Sequence, residues 1–123
     1  MPRVTVPAIV ALFAVASAAQ AHPKLLAASP AANATVARPG RVELRFSEKL
    51  MPKFSGADLM TTVTTRANPG PLKIASTAAV AADGRTLVLT PKSPLGVGRY
   101  SVAWHVVSVD THRVAGNYGF AVK

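Results

Sequence analysis

The chain has 123 residues, with 14 lysines and arginines against five aspartates and glutamates, which gives a formal net charge of +9. This length allows one small domain and excludes an enzyme with separate cofactor and substrate lobes. Because cysteine is absent, disulfide scaffolds, cysteine-ligated zinc or iron–sulfur sites and thiol catalysis are excluded as well.

The first 21 residues have the order of a secretory signal peptide. Arg3 supplies a positive start, Val4 to Ala16 is a largely apolar run, and Ala19-Gln20-Ala21 has the small-x-small pattern of a cleavage site. A transmembrane anchor is the alternative, but a span needs about 20 apolar residues and this run is shorter. We expect cleavage after Ala21, which removes 21 of the 123 residues and leaves a 102-residue chain that begins at His22.

The remaining chain reads as a succession of short strands. Apolar and polar residues alternate with a period of two, which is typical of half-buried strands. Proline and glycine turns separate these runs, and Asp83-Gly84 between two of them predicts a hairpin. The predicted strands are Lys24–Ala28, Val42–Phe46, Phe54–Thr65, Ala78–Ala81, Thr86–Thr90, Arg99–Val107 and Val114–Val122.

No helical period persists for three turns. About seven short strands predict an all-β fold, a small Greek-key barrel or immunoglobulin-like sandwich. Trp104, Tyr100 and Phe120 are expected to fill its core. With no linker or repeat, residues 22–123 are predicted to form one domain.

The three histidines are His22, His105 and His112. After cleavage His22 becomes N-terminal, so its α-amine and its imidazole can chelate one metal ion. The α-amine has a pKa near 8, about low enough to lose its proton to a metal at neutral pH. Pro23 has no backbone N–H, so the next peptide bond cannot supply a further nitrogen.

Asp110-Thr111-His112 adds a carboxylate and an imidazole two residues apart, on one side of an extended segment. Amine, imidazole and carboxylate donors favour Cu(II), although zinc and nickel are chemically possible. Taken singly, each feature also has an ordinary interpretation: an N-terminal histidine is commonly solvated, and an Asp-x-His pair is often a turn.

The sequence resembles the CopC family of periplasmic copper-resistance proteins over nearly all of residues 22–123. The combination of His22-Pro23 with Ser108-Val109-Asp110-Thr111-His112 is the specific part. The other matching segments are Lys24-Leu25, Ser29–Ala31, Val42–Glu48, Phe54–Ala57, Ser93–Leu95, Gly98–Val102, Trp104 and Gly116–Lys123.

The resemblance implies a Greek-key β-barrel that binds one Cu(II) per chain through His22, Asp110 and His112. It places Glu48 beside the copper, as a weak ligand or as a group that contacts a ligand. It also implies a protein of the periplasm that carries or sequesters copper, and it suggests an inner-membrane copper transport protein as the partner. One strong site and no evident substrate cleft favour binding over turnover, so no catalytic residue is expected, and we expect a monomer. Copper resistance and homeostasis are the expected role.

One departure concerns Cu(I). Some family members hold Cu(I) in a methionine-rich loop that contains a histidine, but here residues 61–72 contain neither residue type. Because thioethers are the ligands that select Cu(I), we expect that site to be absent. Met51 and Met60 are then packing residues. His105 is expected to be an ordinary strand histidine.

Two other functions compete with copper carriage. An N-terminal histidine chelate also forms the copper centre of oxidative polysaccharide-cleaving enzymes, although this chain lacks the length for a substrate surface. The net charge of +8 that remains after cleavage suggests a module for a polyanion or a membrane surface. Its basic residues are scattered, without the aromatic partners of a nucleic-acid platform, so no nucleic-acid partner is expected.

Overall fold

The computed structural model describes residues 2, 22–62, 66–67 and 70–123. The predicted signal peptide therefore lies outside the described residues, apart from Pro2. Val63, which continues the alternation of the third predicted strand, lies outside them too.

Nine strands and one short 3₁₀ helix, Pro52–Phe54, make up the regular structure of the described residues. The strands are β1 (Leu25–Ser29), β2 (Thr35–Val36), β3 (Val42–Phe46), β4 (Gly56–Thr61), β5 (Leu72–Ile74), β6 (Ser76–Val80), β7 (Thr86–Pro91), β8 (Gly98–Val107) and β9 (Arg113–Val122). All seven predicted runs overlap a strand. In this described part, no helix has the length and apolar character needed to cross a membrane.

The strands form two sheets, in the orders β1-β3-β7-β6 and β2-β9-β8-β4-β5. Every pairing is antiparallel except that of β2 with β9. Neighbours that are not consecutive in the chain, such as β3 with β7, show that the chain crosses between sheets, as in Greek-key folds. The prediction of an all-β fold is confirmed.

The core lies between the sheets, because alternate residues of the long strands point inward. In β3, Val42, Leu44 and Phe46 are buried while the intervening side chains are not. Trp104 meets Phe46 of the other sheet edge-on, with ring centroids 5.1 Å apart. Tyr100 and Phe120 stack at 5.6 Å. All three aromatic residues expected in the core are buried there.

The β6–β7 hairpin turns at Asp83-Gly84, as predicted. Gly84 has a φ of +73°, in the left-handed region that glycine adopts without strain. The carboxylate of Asp83 accepts hydrogen bonds from the main-chain N–H groups of Arg85 and Thr86 and from the Thr86 hydroxyl. These bonds, the Thr86 hydroxyl first, hold the pKa of Asp83 below its ordinary value.

One end of the sandwich gathers the segments that carry His22 and His112, and we call it the histidine end. There β3 and β8 end, and β1, β4, β7 and β9 begin. Residues 47–55, after β3, connect the two sheets. The N–H of Leu50 donates to Gly84 O, that of Val109 to Lys49 O, and that of Met51 to Val107 O.

Candidate metal centre

The structure brings His22 and His112 into direct contact, although they are far apart in the sequence. Their ring centroids are 4.7 Å apart, and the rings meet edge-on with an interplanar angle of 73°. His22 is exposed and His112 is half-buried. The two predicted imidazole ligands therefore lie side by side at the histidine end.

His22 is held in place by the residues that follow it. Pro23 is fully buried. The N–H of Lys24 donates to Ser47 Oγ, and Lys24 O accepts from the N–H of Ser47, both at 2.9 Å. These contacts fix the start of the domain against the segment that follows β3, beside the turn that carries His112.

A tight turn between β8 and β9 presents Asp110 and His112. The N–H of Ser108 donates to His112 O at 2.9 Å, and the N–H of Thr111 donates to Ser108 O at 2.8 Å. Thr111 has a φ of +74°, which is uncommon for a β-branched residue. The hydrogen bonds on either side of Thr111 hold the turn in this conformation.

Asp110 is oriented by Ser108, whose hydroxyl donates a hydrogen bond to Asp110 Oδ1. The other carboxylate oxygen, Oδ2, lies 3.1 Å from Nδ1 of His112. The Ser108 hydrogen bond, with smaller contributions from His112, lowers the pKa of Asp110 from its ordinary value. At neutral pH Asp110 is a carboxylate, the form in which it can bind a metal.

Nδ1 of His112 is buried and has no hydrogen-bond partner, although the carboxylate lies within ion-pairing distance. Buried polar atoms usually have a partner, so this nitrogen is one that a metal or a proton would satisfy. In the described ranges, no three His, Asp or Glu side chains form a group that could hold a metal ion by themselves.

Glu48 and His105 lie apart from this contact. Glu48 is half-buried, next to Ser47, and pairs with no other residue that the structure describes. His105 is exposed on β8, opposite Gly56 of β4. A Cβ atom at Gly56 would lie 3.1 Å from Cε1 of His105, so the ring rests over that glycine. His105 makes no ring contact with His22 or His112.

The predicted packing of Met51 and Met60 is only partial. Both residues are half-buried, and neither belongs to the buried core. Met60 lies in β4, opposite Lys73 on one side and Ser101 on the other.

Sequence reasoning gave no role to Ser47 or Ser108. Both serines orient the candidate ligands, the first through Lys24 and the second through Asp110. Ser108 is also only 1% exposed. A serine two residues before an aspartate in a predicted turn was the available signal, since serine and aspartate commonly bond within turns.

Comparison with known proteins identifies the family. The CopC domain matches residues 25–123. Copper resistance protein C of Xanthomonas campestris pv. juglandis is 46% identical over 115 residues, which cover 94% of this chain and 91% of that protein. Copper resistance protein C of Escherichia coli is 43% identical over 113 residues, 91% of this chain and 90% of the relative.

Solved structures agree with the sequence comparison. The crystal structure of PcoC, a methionine-rich copper resistance protein from Escherichia coli, superimposes with a TM-score of 0.76 at 44% identity, covering 84% of this chain and all of PcoC. CopC from Methylosinus trichosporium OB3b gives a TM-score of 0.69 at 34% identity, with coverage of 83% and 94%. This chain belongs to the CopC family.

Proposed function

We propose that this chain is an exported Cu(II)-binding protein of copper resistance, and that its cargo binds at the histidine end. The observation that carries the proposal is the contact between His22 and His112, with Asp110 beside them. The names of the relatives, copper resistance proteins, supply the identity of the metal.

The proposed ligands are the imidazole and α-amine of His22, the carboxylate of Asp110 and the imidazole of His112. The α-amine exists only if the chain is cut after Ala21, so export and metal binding are coupled in this proposal. Nitrogen and oxygen donors of this kind suit Cu(II), which stands near the top of the divalent affinity series. The 3.1 Å approach of His112 Nδ1 to Asp110 Oδ2 supports a site between these groups.

Glu48 is proposed to act beside the copper, as a weak ligand or through contact with a ligand. It lies next to Ser47, which holds the His22 segment in place. A glutamate here would add a further negative charge to the surroundings of a divalent cation.

The same protein is proposed to lack a Cu(I) site. Cysteine is absent, and methionine occurs only at positions 1, 51 and 60, whereas PcoC is described as methionine-rich. We expect the double variant Met51→Leu and Met60→Leu to leave Cu(I) affinity within about twofold of the parent, since a Leu-for-Met exchange conserves volume. A much larger loss of Cu(I) affinity would contradict this proposal.

Carriage or sequestration in the periplasm, without turnover, is the proposed role. In the proposed site the carboxylate of Asp110 would occupy a position that copper-dependent oxidation needs open or weakly held. We propose a monomer that passes copper to an inner-membrane transport protein.

Titration of the protein that begins at His22 with Cu(II) tests the proposal. We expect one Cu(II) per chain and a loss of affinity of at least about tenfold, or ~1.4 kcal/mol, for each of His22→Ala, Asp110→Ala and His112→Ala. His105→Asn is the matched control and is expected to bind as the parent does. Unchanged affinity in the three ligand variants, or a collapse in the control, would contradict the assignment. Intact mass of the exported protein checks the cleavage after Ala21.

A further inference from the structure

Four basic side chains without an acidic side-chain partner lie at the end of the sandwich opposite His22 and His112, where the ion-paired Arg41 also lies, and we call this surface the basic end. Its members are Arg38, Lys92, Arg99 and Lys123, all of them exposed. The strand β8 runs from one end to the other, so the basic end and the histidine end are about 30 Å apart. The basic end is therefore separate from the proposed copper site.

The fold brings these four residues together from different strands. Arg38 and Lys92 line one shallow cleft of about 320 Å³, whose walls include Pro39, Pro91 and Pro94. Arg99 lies opposite Ala121 in the β8–β9 pairing. The N–H of Lys123 donates to Val36 O at 3.0 Å, which places Lys123 beside Val36. Arg38 follows Val36 by two residues in the chain.

No aspartate or glutamate side chain forms an ion pair with the four cations of the basic end. Glu43, which lies at the same end of the sandwich at the start of β3, pairs with Arg41 instead, and Asp58 pairs with Lys73, each at 2.9 Å. In the part of the chain that the structure describes, the Asp and Glu ion pairs are those of Glu43, Asp58 and Asp110, and none of them involves Arg38, Lys92, Arg99 or Lys123. By contrast, three of the five acidic residues, Glu48, Asp83 and Asp110, lie at the histidine end.

An exposed apolar residue lies in the loop that leads into β8 at this end of the sandwich. Val97 is 75% exposed, the highest value among the large hydrophobic residues that the structure describes as exposed, and it lies between Lys92 and Arg99 in the chain. Its loop is anchored on both sides. Leu95 is only 2% exposed, and the Tyr100 hydroxyl donates to Gly96 O at 2.8 Å. The fold thus holds an exposed apolar residue in the loop that joins Lys92 to Arg99.

We propose that the basic end docks on an anionic phospholipid surface. Lysine and arginine are attracted to anionic headgroups, and an apolar side chain among them can enter the boundary between headgroups and acyl chains. An acidic protein would use the cations but not require Val97. Docked in this way, the protein would hold its histidine end away from the bilayer. The proposal goes beyond copper binding and does not depend on it.

Co-sedimentation of the metal-free chain from His22 to Lys123 with vesicles tests this surface. We expect binding to vesicles of phosphatidylglycerol and phosphatidylethanolamine, weakening steeply with salt, and no binding to phosphatidylcholine vesicles. Each cation near an anionic bilayer contributes about a fivefold increase in affinity. The double variant Arg38→Gln and Lys92→Gln should therefore bind about 25-fold more weakly, and Val97→Ser should also bind more weakly.

The matched control removes the same amount of charge from the histidine end. Lys49→Gln with Lys53→Gln should change vesicle affinity by less than about twofold if the basic end is the docking surface. Equal losses in the two double variants would show attraction by net charge alone and overturn the proposal. Absence of binding to the anionic vesicles would overturn it too. If the protein preferred soluble polyglutamate to the vesicles and Val97→Ser had no effect, the partner of this surface would be an acidic protein, and the bilayer proposal would be overturned.

Discussion

The hydroxyl of Ser108 donates a hydrogen bond to Oδ1 of Asp110. Ser108 is buried at the end of the sandwich, and its main-chain N–H also binds His112 O. One buried residue therefore connects the core to the carboxylate of Asp110 through its hydroxyl and to the main chain of His112 through its N–H. Ser108 is therefore a positioning residue: it orients Asp110 and is not itself a proposed ligand.

Replacing this serine should weaken Cu(II) binding without unfolding the protein. For Ser108→Ala we expect a loss of about 10- to 100-fold in Cu(II) affinity, because groups that orient metal ligands typically have effects of that size. Ser93→Ala, at an exposed position, is the control. Competition titration measures the affinities, and a melting curve checks the fold. Parent-like affinity in Ser108→Ala would show that the carboxylate needs no such support.

Gly116 is expected to be intolerant of any side chain. A Cβ atom there would lie 2.4 Å from Cζ2 of Trp104, inside the aromatic ring's contact distance. Gly116→Ala should therefore lower the free energy of unfolding by about 1–3 kcal/mol, the usual cost of overpacking a core. Urea denaturation followed by Trp104 fluorescence measures it.

Gly40 provides the control for that substitution. A Cβ atom at Gly40 meets nothing within 4 Å among the described residues, so Gly40→Ala should change stability by less than about 0.5 kcal/mol. If the two alanine variants were equally stable, the close approach of Trp104 to Gly116 would not matter for the fold.

The Asp83 turn predicts a pH dependence of stability. Because hydrogen bonds from Thr86 and Arg85 lower the pKa of Asp83 in the folded chain, its ionised form stabilises the fold. That contribution is present above the pKa of the unfolded chain, about 4, and is lost as pH falls through the lowered pKa of the folded chain. Asp83→Ala should melt at a lower temperature than the parent at pH 7.

The same comparison at acid pH tests the direction of this pH dependence. The difference in melting temperature between the parent and Asp83→Ala should narrow as pH falls below about 4. Asp58→Ala, which removes only an exposed ion pair with Lys73, should have an effect below about 1 kcal/mol. If the difference in melting temperature between the parent and Asp83→Ala widened toward acid pH, the ionised form of Asp83 would not be the one that stabilises the fold.

The long strands could be predicted from the sequence because their alternation encodes one buried face. Val42–Phe46 is predicted and observed with the same bounds. The short strands Thr35–Val36 and Leu72–Ile74 could not be predicted, since two or three residues carry no period. Their places in the sheet are set by pairing with Ala121–Val122 and with Leu59–Thr61.

The residues of the candidate site could be proposed from the sequence, but the geometry that brings them together could not. His22, Asp110 and His112 are suggested by chemistry and by the resemblance. The contact between the two rings depends on the pairing of Lys24 with Ser47, which no spacing in the sequence reveals. The orientation of Asp110 likewise depends on a buried hydroxyl whose partner only the folded turn defines.

The most direct test of the central claim compares two chains that differ by one residue at the N-terminus. One begins at His22, and the other retains Ala21, so that its α-amine is moved away from the imidazole while every side chain of the domain is unchanged. We predict one tightly bound Cu(II) for the first chain and an affinity at least about tenfold lower, or ~1.4 kcal/mol, for the second. Equal Cu(II) affinity in the two chains would contradict the N-terminal chelate.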